Sequence, residues 1–272
     1  MSRGSDPFDT LMDRLATLAV EAVHVPETAV QVYWLCLAST MLQAKPSSRL
    51  SLEELIQQAL RACPVDVWAQ PMASRALVQL LRAGDLLVGS DWSRLPQHQA
   101  VMWDEIVSYR GCVVSVPPAY SPYIAETQEQ TCRLWQAIRR LYGEWSEALQ
   151  QVPEEVRRGA VLFDAGFYFA CHEYFETLWG RTGDVASDFY QGLIQVAVAM
   201  RHLESYNVRG AVVLLHSGLA RLRRYPANYK GLTLRRFLDE VTSLLHYLQT
   251  QPDSQQYQFD PTQVPRLLED IE

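Results

Sequence analysis

The sequence predicts a mainly α protein: a C-terminal bundle of stacked helix hairpins behind a smaller, mostly helical domain with a winged-helix outline. Three observations predict it. Apolar residues recur at three- and four-residue intervals through most of residues 125–249, the period of helices that bury one side. Extended character is confined to DLLVGSDW and part of the mixed stretch VMWDEIVSYRGCVVSV. Pro117–Pro122, PPAYSP, is the clearest punctuation in the chain and favours an extended connector. The expected organisation is therefore 1–116 as the N-terminal domain, 117–124 as connector, 125–250 as an all-α bundle and 251–272 as a polar tail.

Residues 8–24 have helical spacing at Phe8, Leu11, Leu15, Leu18 and Ala19, and Pro26 closes that run. Thr28 to Gln43 is strongly apolar and reads as a buried helix. Ser51-x-x-Glu54 is a capping box that opens a helix ending at Cys63-Pro64, because the residue before proline is pushed out of the helical region. A further helix over 71–83 ends at Gly84. In a winged-helix reading, Ser74, Arg75 and Arg82 would face phosphates. A small helical domain that binds no DNA is favoured, since residues 1–120 hold nine Lys or Arg against twelve Asp or Glu.

After the connector, Ala125–Leu149 is amphipathic, with Trp135, Ile138, Leu141, Tyr142 and Trp145 on one side, and reads as a brace for the bundle. Pro153 ends it. The following helices carry polar residues among Phe, Tyr, Leu and Ile. His172 and Glu176 stack one turn apart, with Trp179 on the next turn. Gln191, Gln195, Val198 and His202 form a second stripe at i, i+4, i+7 and i+11. Buried polar groups must be paired, so the two stripes are expected to meet in a buried His/Glu/Gln network. Gly166 and Gly192 are expected where helices approach closely, since glycine costs a helix about 1 kcal/mol relative to alanine. Asn207 is an N-cap for the helix over 208–225, and residues 233–249 form the last helix.

The pattern Phe163-Asp164-x-Gly166-x-Tyr168-Phe169-x-x-His172-Glu173-x-x-Glu176-x-x-Trp179 carries a resemblance. So does Phe189-Tyr190-Gln191-Gly192-Leu193-Ile194-Gln195-x-Ala197-x-Ala199, then His202 and Asn207-x-x-Gly210-Ala211. Over roughly residues 155–225 the chain resembles the family catalogued as domain of unknown function 309. The resemblance implies a compact all-α domain and supplies no activity. The usual pattern has Asn where Asp164 stands and Glu where Ala170 stands.

Two chemistries suit the stripe. A metal site would use His172, Glu176 and His202 from facing helices; a structural network is favoured over it. If acid–base work is done here, Glu173 with His172 is the pair to test. HExxE is not HExxH, and no GxxxxGK[ST], GxGxxG or GxSxG pattern occurs. Residues 201–236 hold eight Lys or Arg against one acid. Of these, Arg221, Arg223, Arg224, Lys230, Arg235 and Arg236 outline a basic patch suited to an acidic ligand or partner.

The chain has 272 residues, 48% of them hydrophobic and 20% charged, with a net charge of −7. That is ample material for a core and argues mildly against a general nucleic-acid binder. Five cysteines without CxxC fit a reduced compartment better than a disulfide framework. No secretory signal is read in MSRGSDPFDT, and stretches such as LIQVAVAM are too short to span a bilayer. The expectation is a cytoplasmic binding or scaffold protein rather than an enzyme, with no cofactor implied. A metal-dependent enzyme and a DNA-associated regulator are the alternatives.

Overall fold

The computed structural model describes residues 7–25, single positions between 28 and 43, and then 49–51, 108–110, 113–115, 121–142, 147–181, 183–250 and 259–268. The chain divides into two units, Met1–Gly143 and Glu144–Glu272.

In the first unit, α1 (Pro7–Ala22) buries Leu11, Leu15, Leu18, Ala19 and Ala22, the row its spacing predicts. It packs on α2 (Ile124–Tyr142), whose buried side holds Leu134, Trp135, Ala137, Ile138 and Leu141. Phe8 meets Tyr123 at 5.4 Å where the two helices begin. The helix expected to brace the bundle thus belongs to the first unit, because α1 offers its apolar side an equally apolar partner.

Thr28, Val32, Cys36, Ser39, Thr40 and Gln43 are helical, as expected. Cys36 and Cys132 form a disulfide with their Cα atoms 5.0 Å apart, and Ser39 Oγ lies 3.2 Å from Thr131 Oγ1 beside it. For this pair the structure departs from the expectation that a reduced state fits the cysteines better than a disulfide framework, while Cys171 is free. Partners separated by 96 residues leave no spacing signature in the sequence. Strands β1 (Arg49–Ser51), β2 (Ser108–Arg110) and β3 (Val113–Ser115) make an antiparallel sheet in the order β1-β3-β2, with Val114 opposite both Leu50 and Tyr109. The expected helices over 54–63 and 71–83, with Ser74, Arg75 and Arg82, lie outside the described residues.

The second unit is a succession of helices: α3 (Glu147–Gln150), α4 (Glu154–Asp164), α5 (Tyr168–Trp179), α6 (Asp184–Glu204), α7 (Val208–Leu222) and α8 (Leu234–Thr250). From α4 onward each packs on the next. Phe163 of α4 meets Phe237 of α8 edge-on at 5.8 Å, and Phe175 of α5 meets Tyr190 of α6 at 6.0 Å, so aromatic rings fill the interior. No helix among the described residues is long and apolar enough to cross a membrane.

The two glycines singled out in the sequence serve different purposes. Gly166 is not inside a helix. It takes φ +79 in the turn after α4, where Phe167 N–H reaches back to Leu162 O at 2.9 Å, a closure that favours a residue without Cβ. Gly192 does mark a close approach: a Cβ there would lie 2.6 Å from Leu222 Cγ. From the other side, Gly218 of α7 backs onto Gly192 O, 3.1 Å from its own virtual Cβ.

The last described segment departs from the polar tail expected. Leu267 and Leu268 are buried, and their N–H groups donate to Asp164 Oδ1 at 2.7 Å and Oδ2 at 3.0 Å. Arg236 and Glu240 of α8 hold the same segment through Arg266 O and Arg266 N.

Candidate functional site: the outer strip of α5

Helix α5 turns Tyr168, Cys171, Tyr174 and Phe175 into the core. Burial pushes the Cys171 thiol well above its ordinary pKa, and the nearby charge of Asp164 adds to the shift, so this cysteine is an inert core residue. The adjoining strip stays accessible. Phe169 is 47% exposed and Trp179 is 41% exposed. Between them the side chains of Glu173 and Glu176 are each 48% exposed, while that of His172 is 19% exposed.

His172 is the centre of the strip. Its Nε2 lies 3.0 Å from Glu176 Oε1, and its Nδ1 lies 3.3 Å from Glu173 Oε1. The second approach lacks hydrogen-bond alignment, so Nδ1 is enclosed but makes no hydrogen bond among the described residues. The Phe169 ring leans on the imidazole at 5.8 Å. At the far end Trp179 Nε1 donates to Ser187 Oγ at 2.6 Å, fixing the indole against the start of α6. One ligand-capable atom from each of His172, Glu173 and Glu176 falls within 4.8 Å of the others. Among the described residues, no lysine or arginine pairs with either carboxylate.

The expected α6 stripe has contacts of its own. Gln191, Gln195, Val198 and His202 are all half-buried. They run along the margin between the row that faces α5, marked by Tyr190, and the row that faces α7, marked by Gly192 and Val196. Gln195 Cβ lies 3.5 Å from the virtual Cβ of Gly218, so this residue belongs to the α6–α7 contact. Its Oε1 is shut off from solvent and accepts no hydrogen bond among the described residues. Asn207 Nδ2 donates to His202 Nδ1 at 2.9 Å, and Asn207 Oδ1 accepts from Gly210 N–H, the cap expected of it. No hydrogen bond among the described residues joins the α5 stripe to that of α6. The ion-pair and ring contacts of His172 are with Glu173, Glu176 and Phe169 of its own helix, and Glu173 stands in its group where His202 is expected.

The basic cluster is largely engaged within the fold. Asp188 takes both Arg221 and Arg224, the latter at 2.8 Å. Arg223 donates to Thr242 Oγ1, and Arg236 to Glu240. Lys230 stands 5.5 Å from the centre of the Tyr190 ring, while Arg235 is exposed. Phe169 and Asp164 stand in the quoted pattern, but sequence reasoning missed their roles, and it missed Asp188 altogether. Phe169 carried a signal, three residues before His172 on the same helical side. Asp188 and Asp164 act on groups distant in sequence and carried none.

No curated protein and no solved structure matches the chain. The helical region from α4 to the first half of α7, which contains the whole strip, matches over residues 156–214 the family model described as Domain of unknown function (DUF309).

Proposed function

We propose that the second unit is a helical binding module that recognises its partner through the outer strip of α5. The observation that carries this reading is the composition of the strip: two large aromatic side chains left on the surface, on either side of a histidine ringed by two carboxylates. Aromatic residues held rigidly at a surface contribute much of the energy of protein interfaces, and the indole is already fixed by Ser187. The strip lies on a helix that packs on α6, so its side chains project from a regular element rather than from a loop.

Site-specific photocrosslinking in cells tests this. A photoreactive residue replacing Trp179 should give a discrete adduct, lost on adding His172→Ala with Glu176→Ala, while the same residue replacing Asp239 on α8 should give none. Equal labelling at both positions, or none at either, rejects the reading.

A metal-dependent enzyme is the second reading, favoured by the approach of His172, Glu173 and Glu176 to within 4.8 Å of one another. Those residue types suit zinc or a similar borderline cation. Elemental analysis decides between the two: stoichiometric metal that disappears in His172→Ala while the fold persists would establish the second.

A further inference from the structure

We propose that the partner of the α5 strip is an arginine- or lysine-bearing segment of another protein, an inference that rests on the binding reading above and names the partner's chemistry. Four properties of the strip converge on a cation. The carboxylates of Glu173 and Glu176 are half exposed, and each brings one oxygen near His172, that of Glu173 without a hydrogen bond. No basic side chain of the described residues neutralises them, although elsewhere in this unit Asp188, Glu154, Glu204 and Glu240 all have arginine partners. The aromatic rings at the two ends, Phe169 and Trp179, are exposed, and aromatic ring faces attract guanidinium and ammonium groups. Ten residues of helix separate those rings, about 15 Å at the α-helical rise, a span that several residues of an extended peptide can cover. An anionic partner would meet two carboxylates that no lysine or arginine of the described residues neutralises, and an apolar one would have to strip both of water.

The test uses the full-length protein and a fluorescein-labelled peptide of alternating arginine and alanine, read by fluorescence anisotropy at low salt. Saturable binding is expected, weakened about tenfold or more by Glu173→Gln with Glu176→Gln. Phe169→Ala should weaken it separately, since that ring lies outside the core. The control Glu129→Gln with Asp239→Asn removes the same charge elsewhere on the surface and should bind like the unaltered protein. Three results would overturn the proposal: equal binding by the strip variants and the control, equal binding of a glutamate–alanine peptide, or saturation by zinc chloride alone that excludes the arginine peptide. Failure here with a persistent crosslink at position 179 would reject the cationic partner and leave the binding reading intact.

Discussion

A methyl group on Gly192 would fall 2.6 Å from Leu222 Cγ and 2.8 Å from Cδ2, inside a side chain that is itself fully buried. Gly192→Ala gains helix propensity yet forces α6 and α7 apart, so a net loss of about 1–2 kcal/mol is expected. Chemical denaturation checks this. The tyrosines of the same core respond to pH. Burial pushes the Tyr190 phenol up to about 12 and Tyr174 higher still, with the charge of Glu155 adding to the shift at Tyr190. A raised phenol pKa favours the folded form below the unfolded value of about 10, and that contribution is lost as pH climbs through the folded value. Alkaline unfolding should therefore set in above about pH 10, with some tyrosinate absorbance appearing only on unfolding. At this scale the sequence was informative about Gly192 and Asn207, whose roles depend on near neighbours and helix ends. It was silent on Asp164 and Asp188, whose partners are brought in by tertiary folding.

Helix positions were legible because 3.6-residue periodicity is local. The helix expected over 208–225 is marked by its cap, and the cap is present at the start of Val208–Leu222: Asn207 Oδ1 receives Gly210 N–H at 2.9 Å. Removing it with Asn207→Ala should cost about 1 kcal/mol, seen as a lowered melting temperature. The break between α4 and α5 was harder to read, since the sequence runs apolar through Gly166 and only the left-handed turn separates the two helices. Which helix packs on which was also hidden, because amphipathic α2 suits any apolar surface. Its link to the residues around Cys36 is covalent, and closing so long a loop is worth about 4–5 kcal/mol in the chain-entropy picture. Calorimetry with and without reductant should show the first unit melting at lower temperature once the bond is broken, with Cys132→Ser reproducing the reduced curve.

Across the whole molecule, the chain divides into two units at Gly143 and Glu144. The second closes on itself when its last described segment returns to α4. Leu267 and Leu268 were read as tail because glutamine, aspartate and proline dominate the residues before them; nothing local says that two leucines will find Asp164. Replacing both with alanine should destabilise the second unit by about 2 kcal/mol or more, read as an earlier denaturation midpoint. The α5 strip itself was half legible. Its residues were named from their spacing, but its outward aspect depends on which side α6 covers.

The bond between Cys36 and Cys132 has a further consequence for handling the protein. A protease that cuts the backbone once between those positions severs the polypeptide without releasing either piece, so the nicked molecule still migrates as one species until a reductant is added. Gels run with and without thiol would then disagree about whether the protein is intact, and the difference would map the cut to that interval.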